Sequence, residues 1–402
     1  MSTIVSSPSL ANFKNKNVEN HNNPKRSQLN QEYNAYRKKA ELIRSFGEIP
    51  KEYSLSSKVG GGAYGTVADG YYMEKYPVAI KKVVPSHRIM FALRTLREIK
   101  FLKHFHNHEN IISIRDAFIT SQQKTNIFKI FIVQELMKTD LNKVIRSDIV
   151  LSQKHIKYLI YQIFKALKAL HSVNVIHRDL KPSNLLLNED CTLKLCDFGL
   201  SRIDNSSTNE SNHTNMTEYV ATRWYRAPEI MLSHSEYSTS SDIWSVGCIL
   251  AELVLRKPFF PGLDYINQIK LIFEVIGTPT GEDLEVVRSR SARMYIQSLA
   301  YSPRLKFKKI FSSHLDPDAI DLLESMLQFN PKKRITAAEA LNHPYLDEFH
   351  NPESEPDAEP IPKGEFDFDD FGMGRELTMY ELENLLLKEI RNFPSWKDFT
   401  FS

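Results

Sequence analysis

The sequence predicts an α+β protein, a small β-rich lobe followed by a larger helical lobe. Three observations predict it. Short β-type runs separated by turns fill residues 53 to about 132, as at Tyr53–Val59, Thr66–Tyr72 and Pro77–Val84. One helical run, Met90–Phe105, interrupts them, with Leu93, Leu96, Ile99 and Leu102 on one face. From Leu141 to Leu346 helical patterns dominate.

The elements follow in order. Residues 1–46 are rich in Ser, Asn, Lys and Gln and read as a mostly disordered tail, with a short helix over Gln28–Phe46. A folded body spans 53–346, its first lobe about 53–134 and its second about 138–346. Residues 347–402 hold an acidic, Pro-containing segment and a last amphipathic helix, Thr378–Phe393, with Leu382, Leu385, Leu386 and Ile390 on its apolar side. Of 402 residues, 42% are hydrophobic and 25% charged, enough for a large core. A net charge of +3 points to no nucleic-acid partner, and short runs such as Lys332-Lys333-Arg334 read as solvated surface. The three cysteines form no CxxC pair, which argues against a zinc site or a disulfide framework and fits a reducing compartment. No apolar stretch is long enough to span a bilayer, so a membrane is given no part.

The chemistry gathers in four places. Gly60-Gly61-Gly62-Ala63-Tyr64-Gly65-Thr66-Val67 fits G-x-G-x-x-G-x-V. Glycines let a backbone approach phosphates and turn N–H groups toward them. Alone, such a run is usually a structural turn. Here strands on both sides argue for a flap over a nucleotide, not a strand-to-helix dinucleotide site. Val78-Ala79-Ile80-Lys81 follows, with Lys81 placed 16 residues after Gly65. A lysine ending an apolar strand is often a snorkelling edge charge. In this order it is a phosphate ligand, and Glu98, 17 residues on, is the carboxylate to hold it. The third place is His177-Arg178-Asp179-Leu180-Lys181-Pro182-Ser183-Asn184, and the fourth is Asp197-Phe198-Gly199, 18 residues after Asp179. Phosphoryl transfer needs a carboxylate to orient a hydroxyl and take its proton, which Asp179 supplies. It also needs hard oxygen donors for a divalent cation, which Asn184 and Asp197 supply. Lys181 would steady charge on the group in transit.

These four places, with Ala227-Pro228-Glu229, resemble the eukaryotic protein kinases over roughly residues 53–346. The resemblance implies the bilobal protein kinase fold with a C-terminal helical extension. Thr217-Glu218-Tyr219, the following Val220–Glu229 run and Asp242-Ile243-Trp244-Ser245-Val246-Gly247-Cys248 make the chain similar to the mitogen-activated protein kinases of the extracellular-signal-regulated type. The Asn/Ser-rich tail hints at a fungal or protist source.

The resemblance implies an ATP- and Mg²⁺-dependent, proline-directed serine/threonine kinase. An upstream dual-specificity kinase would switch it on by phosphorylating Thr217 and Tyr219. The other implied partners are phosphatases and substrates carrying Ser/Thr-Pro sites and basic docking motifs. Shuttling between cytoplasm and nucleus is implied as well. ATP would contact Val59, Gly60, Gly62, Gly65, Val67, Ala79, Lys81 and Leu186, with the Glu135 and Met137 backbone on adenine and Asp140 on ribose. Arg97, Arg178 and Arg202 would receive the Thr217 phosphate, and Arg223 and Arg226 that of Tyr219; each could instead pair with a surface carboxylate. Glu229 and Arg334 would tie the end of the loop to the large lobe. Docking would fall to Glu189, Asp190, Glu353 and Glu355. Two departures stand out: Gly61 where close relatives have Glu, and Asn351 and Ser354 where they place aspartates. A catalytically silent scaffold of the same fold, or a neighbouring proline-directed branch, are the competing readings. The intact Lys81, Glu98, Asp179, Asn184 and Asp197 oppose the first, and Thr217-Glu218-Tyr219 the second.

Overall fold

A computed structural model describes residues 24–62, 65–85, 89–122, 127–204, 222–233, 237–366, 368 and 377–393. Helix α1 (Pro24–Phe46) leads into strands β1 (Tyr53–Gly62), β2 (Gly65–Tyr72) and β3 (Tyr76–Val83). Helix α2 (Ile89–His104) precedes β4 (Ile114–Gln122) and β5 (Ile127–Glu135). The five strands form one antiparallel sheet in the order β1-β2-β3-β5-β4. Side chains alternate across a strand. In β3 this buries Val78 and Ile80 on the outer face, with Leu55, Ala68, Phe131 and Val133, and turns Ala79 and Lys81 to the other.

Leu42 and Phe46 of α1 complete that outer cluster. Gly47, at φ +79°, ends the helix by donating its N–H to Ile43 O at 2.9 Å, the left-handed stop that glycine allows. The helix begins at Pro24, four residues before the expected Gln28, because Pro is favoured in a first turn. α2 lies within one residue of its expected bounds at each end, and Leu93, Leu96, Ile99 and Leu102 are all buried.

The second lobe opens with β6 (Thr139–Asp140), α3 (Leu141–Arg146) and α4 (Gln153–Ser172). Short strands β7 (Val175–Ile176), β8 (Leu185–Leu187), β9 (Leu193–Leu195) and β10 (Arg202–Ile203) pair as β6-β8-β9 and β10-β7, making the floor beneath the first sheet. Helices α5 (Pro228–Leu232), α6 (Thr239–Leu255) and α7 (Tyr265–Ile276) follow, and α6 packs on α4. Arg334 joins Glu229 through two buried bonds of 2.7 and 2.6 Å and lies over the Trp244 ring at 5.1 Å. The pair foreseen between these residues is formed.

The last helix, Met379–Arg391, starts at a capping box in which Thr378 and Glu381 exchange bonds. It returns to α2, burying Leu382 and Leu386, while Glu389 bonds Lys100 at 3.0 Å and Lys103. Upstream of it Phe366 stacks on Phe101 of α2 at 4.2 Å. Among the described residues, no helix is long and apolar enough to cross a membrane.

Candidate active site

The site lies where the sheet, α2 and the floor strands meet. Gly65 has φ +153°, and a Cβ there would lie 2.4 Å from Lys82 O, so the β1–β2 hairpin requires glycine at that point. Gly60 has open space around it, and Gly62 pairs with Gly65 across the hairpin. Val67 pairs with Lys81, and Ala79 with Gln134, which carries the flap register into the middle of the sheet.

Lys81 Nζ donates to both Glu98 oxygens at 2.7 Å and lies 3.7 Å from Asp197 Oδ1. Its side chain is 14% exposed and that of Glu98 5%. Burial works against the Lys81 charge, but Glu98 and Asp197 outweigh it and hold the ammonium well above the ordinary lysine range. Burial also pushes Asp197 up, yet Lys81 and Lys181 outweigh it and hold this carboxylate below the usual range. Asp197 sits at φ +68°, and Phe198 behind it is fully buried. The Phe198 ring lies 6.2 Å from Phe101 and from Phe105 of α2, and meets His177 edge-on at 5.2 Å. The position of α2, and so of Glu98, is thereby locked to the Asp197 segment.

Asp179 forms a compact knot with its neighbours. Lys181 Nζ donates to its Oδ2 at 2.6 Å, and Asn184 Nδ2 donates to its carbonyl at 2.8 Å and its Oδ2 at 3.1 Å. Burial raises Asp179 above the usual carboxylate range, with Lys181 opposing. Asn184 spends its amide hydrogens on Asp179, which leaves its Oδ1 as an oxygen donor. Asp197, 34% exposed at its side chain, is the second. Amide and carboxylate oxygens on an open cleft suit a hard divalent cation bound with phosphate.

Sequence reasoning gave Asp242 no role of its own. It is 1% exposed and accepts from His177 N at 2.8 Å and Arg178 N at 3.0 Å, with His171 Nε2 at 3.1 Å. These bonds hold Arg178 at φ +69°, a backbone region costly for a non-glycine residue, and so set the loop that presents Asp179. The signal was in the Asp242-Ile243-Trp244 run, which served only as a family mark.

Asp140 caps α3, accepting from Lys143 N at 2.9 Å, while its backbone pairs with Leu186. Glu135 ends β5; its carboxylate accepts from Ser113 N at 2.7 Å and lies 3.0 Å from Lys194 Nζ, so only its backbone is offered to the cleft. Val59 is 44% exposed at the cleft's edge, and Met137 is buried.

The predicted phosphate-binding arginines divide into two groups. Fully buried Arg97 donates to Gly199 O at 3.4 Å, and Arg202 to Leu200 O at 3.3 Å and Ser201 O at 2.8 Å, so both hold the three residues after Phe198. Arg178 lies over the Tyr237 ring at 4.0 Å. Arg223 donates to Leu263 O, and Arg226 to Tyr265 OH, each at 2.7 Å, so this second group gathers at the start of α7. Thr217 and Tyr219, with Val220 and Ala221, lie outside the described residues.

Among the docking acids, Glu189, Asp190 and Glu353 face solvent. Glu355 is a correction. It is 2% exposed, and its Oε1 holds His350 Nδ1 at 3.1 Å and Asn351 N at 2.9 Å, which leaves it out of a partner's reach. Asn351 and Ser354 are turned to local caps: Asn351 Oδ1 accepts from Glu353 N at 3.1 Å, and Ser354 Oγ donates to Asn351 O at 3.0 Å.

Comparison with known proteins agrees with this geometry. The family model described as "Protein kinase domain" matches residues 53–346. "Mitogen-activated protein kinase mpkB" of Aspergillus fumigatus is 51% identical over 344 residues, covering 85% of this chain and 95% of that protein. "Extracellular signal-regulated kinase 1" of Candida albicans is 50% identical over 360 residues, with 85% and 84% covered. "Mitogen-activated protein kinase KSS1" of Saccharomyces cerevisiae is 53% identical over 323 residues, with 78% and 87% covered. The activity is therefore phosphoryl transfer from ATP, with a divalent metal, to protein serine or threonine, in the service of signalling. The chain belongs to the mitogen-activated protein kinases.

Proposed function

We propose that this kinase is proline-directed, uses Mg²⁺ with ATP, and is switched on by phosphorylation of both Thr217 and Tyr219. The observation that carries the catalytic part is the juxtaposition of the Lys81–Glu98–Asp197 cluster with the Asp179–Lys181–Asn184 knot in one cleft.

In this reading the Glu135 carbonyl and the Met137 N–H bind adenine, Asp140 reaches the ribose, and Val59, Val67, Ala79 and Leu186 close on the ring. Lys81, fixed by Glu98, neutralises the α- and β-phosphates. Asn184 and Asp197 would hold Mg²⁺, which would supply further neutralisation of phosphate charge. Asp179 orients the substrate hydroxyl and takes its proton as the new P–O bond forms and the β–γ bridging oxygen departs with ADP. Lys181 steadies the group in transit. A proline after the target residue has no N–H to satisfy, which suits a pocket that Val220–Arg226 would wall, Thr222–Arg226 being the described part of it.

The switch follows from charge. A phosphate adds roughly −1.5 to −2 charge and needs arginines. Arg97 neighbours Glu98, Arg178 neighbours Asp179, and Arg202 clasps the segment after Phe198. A phosphate on Thr217 that recruits these three therefore tightens both halves of the site at once. Arg223 and Arg226 serve phospho-Tyr219. We place the upstream dual-specificity kinase, opposing phosphatases and basic docking motifs on the face with Glu189, Asp190 and Glu353, and the enzyme in cytoplasm and nucleus. The formed Lys81–Glu98 pair weighs against a silent scaffold.

The test is a kinase assay on the recombinant full chain with Mg²⁺-ATP and a Ser/Thr-Pro peptide, before and after an upstream dual-specificity kinase. Activity should rise with phosphate on Thr217 and Tyr219, and Thr217→Ala with Tyr219→Phe should abolish the rise. Full activity of that double variant removes the switch from the account.

A further inference from the structure

Helix α1 runs 23 residues, about 35 Å, and its last turns pack on the domain. Leu42 and Phe46 are buried against the sheet, whereas every side chain from Tyr33 to Lys39 stands exposed. Tyr33, Tyr36, Ala40 and Ile43 recur at three- and four-residue spacing and so share one face, about a third of a turn from the packed one. Tyr33 is 65% exposed, Tyr36 74% and Ile43 48%. Arg37 and Arg44, seven residues apart, line one edge of this stripe, and Lys39 lines the other. The segment holds six Lys or Arg against two Glu, and Glu41 is engaged by Arg37 at 3.0 Å.

We infer that this face of α1 lies on an anionic lipid surface. Tyrosine suits that place, since its ring is apolar and its hydroxyl keeps water. Flanking cations add attraction to acidic headgroups, and a basic amphipathic helix lying in the interface is the geometry in which both act together. The packing of Leu42 and Phe46 is what frees the stripe: the domain takes one side of the helix and leaves the aromatic side uncovered. Two other occupants fit less well. A second copy would bring Arg37, Lys39 and Arg44 against the same cations. A coiled-coil partner wants Leu, Ile or Val along its seam, where this helix carries two tyrosines. The sequence alone gave a membrane no part because no segment spans one; α1 lies along the surface instead.

The experiment is flotation of the full chain with vesicles of phosphatidylcholine alone, or of phosphatidylcholine with phosphatidylserine, at roughly 0.15 M salt. Binding to the anionic vesicles should exceed binding to the neutral ones at least about tenfold. It should be lost in Tyr33→Ser/Tyr36→Ser/Ile43→Ser and in Arg37→Gln/Lys39→Gln/Arg44→Gln, with peptide phosphorylation unchanged. A helix that merely frays in those variants is separated by Tyr36→Trp, whose emission should shift to the blue and be quenched by brominated lipid with anionic vesicles only. Three outcomes overturn the inference. The chain stays unbound on phosphatidylserine vesicles, or the triple-serine variant binds as well as the parent. In the third, the chain dimerises without lipid and the same substitutions abolish that, which assigns the face to a second copy.

Discussion

Replacing Glu98 by Gln tests the site at its most constrained contact. Glu98 receives two bonds of 2.7 Å from Lys81 at a nearly dry position. Glutamine keeps the shape but offers one neutral oxygen. One bond disappears and the other keeps only the charge of its ammonium donor. A charge-assisted bond contributes about 1.5–3 kcal/mol net, and the surviving bond weakens when its acceptor becomes neutral, so the loss is about 2–4 kcal/mol. Lys81 then leans toward Asp197, already 3.7 Å away, and leaves its phosphate position. Taken wholly in the transition state, the loss is roughly 30- to 1,000-fold in kcat/KM. The assay is steady-state kinetics on protein treated with an upstream kinase, with ATP and peptide varied separately. The thermal midpoint should fall as well, because the buried Lys81 charge keeps Asp197, at 3.7 Å, as its near carboxylate in place of two bonds to Glu98. A kcat/KM within about threefold of the parent would refute the assignment of Glu98 as the residue that positions Lys81.

Asp179→Asn should abolish peptide phosphorylation while preserving the circular dichroism spectrum. In the parent the acid limb of the kcat profile should fall at higher pH than an ordinary aspartate gives, because burial raises Asp179 and its ionised form is the active one. Arg334→Met leaves Glu229 buried with Ser241 Oγ at 3.0 Å as its remaining side-chain donor, and should destabilise the helical lobe by about 3–5 kcal/mol in urea unfolding. Adding Glu229→Gln should restore part of that loss; a double variant as unstable as Arg334→Met speaks against an uncompensated charge as the cause. His108 is pushed down to about 4 by burial, and its Nδ1 accepts from Asn110 N at 3.1 Å. It stays neutral in the fold and gains its proton on unfolding, so it should lower the thermal midpoint as pH falls from 6.5 toward 4; His108→Gln should flatten that slope.

The parts of the fold readable in the sequence are those with local periodicity. The strand read at Val78-Ala79-Ile80-Lys81 is β3, whose alternation in the structure turns Lys81 to the cleft face, and the run from Leu93 to Leu102 placed α2 within a residue at each end. The last helix came from its apolar stripe, of which the structure buries Leu382 and Leu386. What escaped depends on tertiary context. Nothing local distinguishes Glu355 from Glu353, and only the closeness of His350 and the Asn351 backbone turns the former inward. Asp242 lies 63 residues after Asp179, and its hold on the loop has no periodic signature. The tail offered too few large apolar residues to predict packing, yet two of them, Leu42 and Phe46, suffice once the sheet supplies the rest of the cluster.

The C-terminal extension belongs to the same argument. Phe366 stacks on Phe101, Phe101 lies beside Phe198, and Phe198 meets His177, so rings from the extension, α2, the Asp197 segment and the catalytic loop form one continuous stack. Glu389 of the last helix holds Lys100 and Lys103 on the side of α2 that the last helix covers. Glu98, one turn before Phe101 and two residues before Lys100, is fixed by whatever fixes that helix. The Lys81–Glu98 pair is thus supported from two directions: by Lys81 and the sheet on one side, and by residues beyond 360 on the other. A kinase domain cut at Leu346 retains every catalytic side chain but loses the second support. Completeness of the motifs and completeness of the active arrangement are therefore different properties of this chain.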